Sequence, residues 1–244
     1  MIFSIEPDSL DLFWIPLDHP AHSVEETLPL LTNEERERAG RFYFVEDRRR
    51  WTLCRGILKT LLGLYLQREP AAIELSYGAN GKPMIGGANG NGGLCFNLSH
   101  SAERMLLGLS TTPHIGVDTE FIKPVRDFTD LAKRFFAEVE YDRILQSLPD
   151  ERLKNFYRTW TKKEAFLKAT GDGLSRNLNE FAVAIGKDGN SVSMGEGSLS
   201  GWFLEEVRTE PDYIASFCLS ERPRRIRLYL YTPESVTELE SVKG

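Results

Sequence analysis

With 244 residues, 41% of them hydrophobic, the chain is long enough for one large domain or two halves of ordinary size around a substantial core. A net charge of −6 and a pI near 5.4 argue against a general nucleic-acid binder, so any anionic ligand must meet a local basic cluster. Cys54, Cys95 and Cys218 are isolated, without a CxxC or Cys/His metal spacing, which favours free thiols in a reducing cytosol. No apolar run is long enough to span a membrane, and residues 1–17 carry Glu6, Asp8 and Asp11 without the cationic lead of a secretion signal. A soluble cytoplasmic protein is expected.

Residues 11–17 (DLFWIPL) read as a short apolar strand ended by the loop around Pro16 and Pro20, and residues 23–31 read as helical. Thr32-Asn33-Glu34-Glu35 opens another short helix with acids in its first turn, and Arg36, Arg38 and Arg41 follow before Phe42-Tyr43-Phe44. Residues 46–66 form the clearest helix. Trp51, Leu53, Cys54, Ile57, Leu58, Leu61, Leu62, Leu64 and Tyr65 fill one broad arc, with Arg48, Thr52, Arg55 and Lys59 as the opposite polar stripe. Arg50 falls inside the apolar arc. Its guanidinium needs an anion or acceptors, supplied by a partner carboxylate, by snorkelling or by a ligand.

A strand at 73–77 leads into Asn80-Gly81-Lys82-Pro83, a turn expected to display Lys82. The Gly/Asn-rich stretch 86–93 has no phosphate-loop spacing and reads as a connector. Residues 94–98 form a strand capped by Asn97-Leu98-Ser99-His100-Ser101, and 105–110 and 114–121 are further strands. A hinge at 111–113 divides the chain into an N-terminal half, 1–112, and a C-terminal half, 113–244. Helices follow at 128–136 and 138–147, and Pro149 and Asp150 open a long helix that stops at Gly171. Strands at 180–185, 202–207, 213–220 and 225–231 come next, with a polar loop at 186–200 and a loose tail after Thr232. Helices and antiparallel strands in both halves make the fold class α+β.

Two stretches carry chemistry. In the long helix Trp160, Glu164 and Lys168 are spaced i, i+4, i+8 and share one face, as either an exposed ion pair or a working acid and cation. In Ile115-Gly116-Val117-Asp118-Thr119-Glu120 the strand alternation points Asp118 and Glu120 to one side. Paired carboxylates raise each other's pKa unless a cation sits between them, and oxygen ligands of this kind suit Mg²⁺; a solvated strand end is the plainer reading. Ser99-His100-Ser101 lacks the Gly-x-Ser-x-Gly elbow, which disfavours a hydrolase, and the basic run 222–227 reads as a solvated strand end rather than a partner patch.

Taken in order, Arg41-Phe42-Tyr43 with the Arg-rich helix after it, Gly81-Lys82-Pro83, Phe96-Asn97-Leu98-Ser99-His100-Ser101, the Asp118/Glu120 strand, Lys133-Arg134-Phe135-Phe136, and Trp160 to Lys168 with Gly171-Asp172-Gly173-Leu174 resemble the surfactin-synthetase type of 4′-phosphopantetheinyl transferases. The resemblance covers roughly residues 30–185. It implies a monomer of two similar α+β halves related by a pseudo-twofold, with coenzyme A between them. It implies transfer of the 4′-phosphopantetheine arm of coenzyme A to a serine hydroxyl of an apo-acyl or apo-peptidyl carrier protein, releasing adenosine 3′,5′-bisphosphate. Asp118, Glu120 and Glu164 match the family's Mg²⁺ carboxylates, Glu164 also its general base, and Lys168 would meet the pyrophosphate or steady Glu164. Arg38, Arg50, Lys82, Ser99 and His100 match positions near the nucleotide. Glu35 stands where the family has a basic residue, with Arg36 as the substitute, and Arg49 is the alternative to Arg50. Neither nucleic acid nor membrane is expected as a partner. Another Mg²⁺-dependent enzyme acting on a nucleotide pyrophosphate, and a non-catalytic coenzyme A-binding module, fit the same residues; labelling of added carrier protein separates the first from the transferase, and the unbroken set Asp118, Glu120 and Glu164 ranks the second last.

Overall fold

The structure is a computed structural model that describes residues 4–78, 80–86, 93–173, 176–184, 192–194, 197–198 and 201–243. Its first segment runs β1 (Ser9–Pro16), α1 (Val24–Thr27), α2 (Asn33–Gly40), α3 (Val45–Leu66), β2 (Leu75–Tyr77), β3 (Pro83–Ile85), β4 (Cys95–Ser101) and β5 (Arg104–Ser110). Its second runs β6 (Ile115–Phe121), α4 (Phe128–Phe135), α5 (Glu138–Gln146), α6 (Arg152–Thr170), β7 (Ala182–Val183), β8 (Val192–Met194), β9 (Gly197–Ser198), β10 (Phe203–Val207), β11 (Tyr213–Leu219), β12 (Arg225–Thr232) and β13 (Ser235–Lys243). Local chemistry sets the helix ends. Thr32 and Glu35 form a reciprocal capping box at the start of α2, and Gly171, at φ 78°, takes the left-handed position that closes α6.

Two sheets dominate. The larger has the order β13-β12-β1-β5-β4, with β1 parallel to β12 and the other pairs antiparallel. The smaller is antiparallel in the order β10-β11-β6. Strand alternation sorts β1 to two cores. Phe13 and Ile15 pack with Leu53, Leu58 and Leu61 of α3, whereas Leu10, Leu12 and Trp14 pack with Val117, Ala215 and Phe217 of the smaller sheet. The continuous apolar run of β1 is thus a strand buried on both faces. The smaller sheet's other face carries α6 through Phe166, Ala169, Leu204 and Cys218. The layers therefore run α3, large sheet, small sheet, α6. Each fully buried side chain such as Phe13 or Leu58 contributes about 1.5–3 kcal/mol.

Several expectations change. The tail after Thr232 is not loose: β13 pairs with β12 along its length. Both strands belong to the large sheet beside β1, so the last segment of the C-terminal half is built into the N-terminal one. Asn97–Ser101 lies within β4 rather than capping it. Of the polar stripe opposite the apolar arc, Arg48 is exposed, whereas Thr52, Arg55 and Lys59 are buried. Lys59 Nζ meets Glu35 Oε2 at 2.9 Å and donates to Leu30 O at 3.0 Å, while Arg55 Nη2 donates to Tyr77 Oη at 3.0 Å. A residue whose position suggested a lost basic contact, Glu35, is thus the internal counter-charge of Lys59. The strand expected at 180–185 is β7, preceded by a 3₁₀ turn at Leu178–Glu180, and Ile185 lies outside the described residues. Most of the 86–93 connector, Leu174 and most of the 186–200 loop also lie outside them; within that loop, β8 and β9 pair with each other.

Helix α6 approaches the small sheet closely at Gly116. A Cβ there would lie 2.0 Å from Ala165 O and 2.4 Å from Ala169 N, both backbone atoms of the helix. Backbone cannot turn aside as a side chain can. Gly116→Ala should therefore cost about 1–3 kcal/mol, which for a chain of this size lowers Tm by roughly 2–12 °C. Thermal unfolding by circular dichroism checks this, and an unchanged Tm would contradict the close approach.

Candidate active site

The open edges of the two sheets meet: β4 ends the large sheet and β6 ends the small one. They exchange no backbone ladder. Alternate side chains of β4 reach across instead. Asn97 Oδ1 accepts from Val117 N at 2.8 Å, Ser99 Oγ donates to Asp118 Oδ1 at 2.8 Å, and Ser101 Oγ donates to Glu120 Oε2 at 2.7 Å while accepting from Phe121 N at 3.1 Å. The sequence reading used Ser99 and passed over Asn97 and Ser101. The available signal was the period-two polar stripe Asn97, Ser99, Ser101 alternating with Phe96, Leu98 and His100.

On β6, Ile115 and Val117 face the core between the sheets, so Gly116, Asp118 and Glu120 face α6. Lys168 comes down from that helix. Its Nζ donates to Asp118 Oδ1 at 2.7 Å, to Ser99 Oγ at 3.0 Å and to Val117 O at 3.1 Å. Asp118 is buried, and its second oxygen, Oδ2, has no hydrogen-bond partner among the described residues. Burial, and next the charge of Asp118, push the Glu164 carboxyl above its ordinary range against the opposing pull of Lys168, and Glu120 adds a smaller push. Glu120 is raised too, by burial first; the Ser101 hydrogen bond opposes this and Asp118 adds to it. Three acids thus feel one another across a partly dry cleft.

The structure joins Ser99, Asp118 and Lys168 by hydrogen bonds and puts Glu120 and Glu164 within electrostatic reach of them, but it does not gather the three acids into one cluster. Among the described residues no three His, Cys, Asp or Glu side chains are close enough to hold an ion. Glu120 is turned to Ser101, and Asp118 Oδ1 is taken by Lys168 and Ser99. The donor set nevertheless fits a hard dication. A buried carboxylate oxygen without a donor, flanked by two acids that burial and repulsion hold toward their neutral form, gains most from added positive charge.

The remaining candidates are spread along the first-half side. His100 follows Ser99 and is exposed; partial burial of its ring, then the Lys168 and Arg50 cations, holds its imidazole below the usual value. Arg50 has found the carboxylates that the apolar arc demanded: it meets Glu103 at 2.7 Å and Asp47 at 3.1 Å. Arg49 also bonds Glu103, and its Nη1 donates to Leu17 O at 2.8 Å. Arg38 lines a groove of about 1020 Å³ with Arg41, Phe42, Glu35, Glu74 and Tyr77, and its guanidinium lies 5.7 Å from the Trp51 ring centre. None of the three acids lines that groove. The turn at Lys82 does not display its side chain. Lys82 Nζ donates to Lys168 O at 2.6 Å and to Ile115 O at 2.8 Å, because it lies at the carbonyl end of α6.

Comparison with known proteins gives this geometry a family. Residues 14–111 match the N-terminal model of 4′-phosphopantetheinyl transferases, and residues 114–218 match the 4′-phosphopantetheinyl transferase superfamily. The chain is 46% identical over 179 residues to the 4′-phosphopantetheinyl transferase HetI of a Nostoc species, covering 73% of this chain and 75% of that one. It is 30% identical over 211 residues to the 4′-phosphopantetheinyl transferase Sfp of Bacillus subtilis, covering 86% and 92%. It is also 30% identical over 204 residues to the L-aminoadipate-semialdehyde dehydrogenase-phosphopantetheinyl transferase of Xenopus laevis, covering 77% and 68%. With both halves matched and relatives this similar along most of their length, the chain belongs to the 4′-phosphopantetheinyl transferases, enzymes that move phosphopantetheine from coenzyme A to carrier proteins.

Proposed function

We propose that this chain attaches the 4′-phosphopantetheine arm of coenzyme A to a serine hydroxyl of an apo-acyl or apo-peptidyl carrier protein, with Mg²⁺, and releases adenosine 3′,5′-bisphosphate. The observation that carries the reading is the buried, half-satisfied carboxylate of Asp118, held by Ser99 and Lys168 on one oxygen and flanked by Glu120 and Glu164. Among the described residues no helix is long and apolar enough to cross a membrane. We take the working form to be a cytoplasmic monomer that acts on neither nucleic acid nor lipid.

In the reaction the serine oxygen forms a bond to the pantetheine-side phosphorus, and the bond from that phosphorus to the bridging oxygen breaks. The electron pair leaves with adenosine 3′,5′-bisphosphate. Asp118, Glu120 and Glu164 would hold the magnesium ion, which supplies positive charge against the non-bridging oxygens of the pyrophosphate. Glu164 takes the serine proton; an acid held above the ordinary carboxylate range is a better-matched proton acceptor near neutral pH. Lys168, already in the cleft beside Asp118, faces the charge that builds on the leaving phosphate. Arg38, Arg50 and His100 contribute to coenzyme A binding as donors near its phosphates, with Glu103 released from Arg50 as the phosphate takes its place, while Ser99, whose one proton goes to Asp118, contributes by fixing that carboxylate. Lys82 contributes to the same site through its hold on α6.

The direct test mixes the protein with coenzyme A and an apo-carrier and weighs the carrier. Mass gain by one phosphopantetheine is expected, lost on dialysis against a chelator and restored by Mg²⁺. Turnover of coenzyme A without carrier modification would sink the transferase reading.

Glu164→Gln keeps volume and helix propensity, so the fold should stand. Removing the proton acceptor should slow single-turnover transfer by about 10²- to 10⁴-fold, with the weakened metal site adding to this. Coenzyme A affinity by calorimetry should stay within a few-fold of wild type, since the basic residues are untouched. Near wild-type transfer would refute both roles of Glu164.

Mg²⁺ binding should also depend on pH. Glu120 and Glu164 both have pKa values raised above 4.5, so each keeps a fraction of its proton in the window just above that value. A dication favours the ionised form, displaces those protons and binds more tightly as pH rises through that window, then levels off. Calorimetry with Mg²⁺ in two buffers of different ionisation enthalpy should detect proton release at about pH 5 and little at about pH 8. Affinity independent of pH would remove these two acids from the metal site.

A further inference from the structure

The β2–β3 hairpin forms a sheet of its own, and its tip is a closed turn. Gly78 N donates to Lys82 O at 3.0 Å and Gly81 N to Gly78 O at 2.9 Å, with Gly81 at φ 75°. Two side chains leave this tip for the other half of the chain. Asn80 Nδ2 donates to Gly171 O at 2.7 Å and to Asp172 O at 3.2 Å. Lys82 Nζ donates to Lys168 O at 2.6 Å and to Ile115 O at 2.8 Å. The last four carbonyls of a helix have no partner within it, and the negative end of the helix favours a cation. Lys82 meets that demand at Lys168 O, Asn80 holds the carbonyls of Gly171 and Asp172 just past the helix end, and both side chains come from outside the helix's own half.

The carbonyls involved make this more than a cap. One belongs to Lys168, whose own ammonium holds Asp118 at 2.7 Å. Another belongs to Ile115, which opens the strand carrying Asp118 and Glu120. A single ammonium therefore ties helix to strand beside Gly116, the point at which their backbones touch. We propose that Asn80 and Lys82 are positioning residues: the hairpin tip is a strap from the N-terminal half that sets where α6 rests on β6, and so where Lys168 and Glu164 stand against Asp118. This deepens the transferase reading and rests on it. It separates Lys82 from a phosphate-reading role, since two of its three N–H groups are committed to carbonyls.

The two roles leave different kinetic marks. A residue that reads the 3′-phosphate changes KM for coenzyme A and has less effect on 3′-dephospho-coenzyme A. A strap changes kcat, and by the same factor with both substrates. Lys82→Met, Lys82→Arg and Asn80→Ala are assayed with each substrate and an apo-carrier, and the amides of residues 168–172 are followed by hydrogen exchange. Lys82→Met should lower kcat by about 10-fold or more and Asn80→Ala by about 3-fold, with KM for coenzyme A within about twofold, because small misplacements of reacting groups act on rate. Lys82→Arg, which returns a cation to the same carbonyls, should recover most of kcat. Exchange in the last turn of α6 should quicken in the first and third variants. A KM increase selective for coenzyme A over its dephospho form would overturn the strap. Unchanged kcat and exchange in Asn80→Ala, an exposed substitution that leaves the fold intact if Lys82→Met does not, would overturn it equally. Absence of transfer by the wild-type protein would instead sink the transferase reading, and the exchange measurement would still decide the strap.

Discussion

An unpaired edge of a buried strand is the constraint on which this site depends. Strand β6 pairs with β11 on one side only, and the other side faces β4 across the junction of the two sheets. Backbone groups on such an edge must find partners, since a buried donor or acceptor left alone costs about 1–3 kcal/mol. Here side chains supply them. Asn97 takes Val117 N, Ser101 takes Phe121 N, Lys168 takes Val117 O and Lys82 takes Ile115 O. Four polar side chains from three elements are therefore fixed along one strand. Three of them continue past the backbone to the chemistry: Ser101 to Glu120, Lys168 to Asp118, and Lys82 to the end of α6.

The same constraint explains why the helix comes so close. Lys168 can reach both Val117 O and Asp118 Oδ1 because α6 rests directly on β6 at Gly116. On its opposite side α6 is held by lysines turned inward. Lys163 is fully buried, meets Glu140 at 2.7 Å and donates to Leu178 O at 2.7 Å, and Lys162 donates to Ala184 O at 2.8 Å. Glu140 in turn accepts from Val183 N at 2.7 Å. A buried ion pair of this kind is a weak source of net stability but a strong determinant of geometry, because losing either partner leaves a charge stranded. It ties α5, α6 and the segment leading into β7 into one unit.

These features were unequally legible in the sequence. Periodicity gave the long helices, the Gly stop of α6 and the alternation that puts Asp118 and Glu120 on one side, since each follows from local geometry. The acid and cation of Glu164 and Lys168 were legible for the same reason. Contacts between elements distant in the chain were not. Arg55 and Lys59 look like a solvated stripe until α2 is laid over them with Glu35, and Lys163 looks like a surface residue until Glu140 is beside it. The pairing of β12 with β1 is parallel and joins the two ends of the chain, so nothing near either strand announces it. Asp11 hints at it only in retrospect: it lies opposite Arg227 in that register, and the two form an ion pair at 2.6 Å.

The division of Asp118 between its two oxygens draws these strands together. Oδ1 is committed to the protein, receiving Ser99 and Lys168, which fixes the carboxylate plane. Oδ2 is left to whatever positive charge enters the cleft. A dication can therefore be met without dislodging Lys168, because the two cations use different oxygens. Lys168 is the counter-charge that makes a buried Asp118 tolerable, and with its three N–H groups given to Asp118, Ser99 and Val117 it is fixed in the cleft as a positive charge. Glu120 differs: the oxygen that Ser101 holds must yield or be shared if it is to join Asp118, so its contribution requires a side-chain movement that Asp118 does not need. The site is thus prearranged on the β6–α6 side, where edge hydrogen bonds and the Gly116 contact fix it, and adjustable at Glu120, which the Ser101 hydroxyl holds.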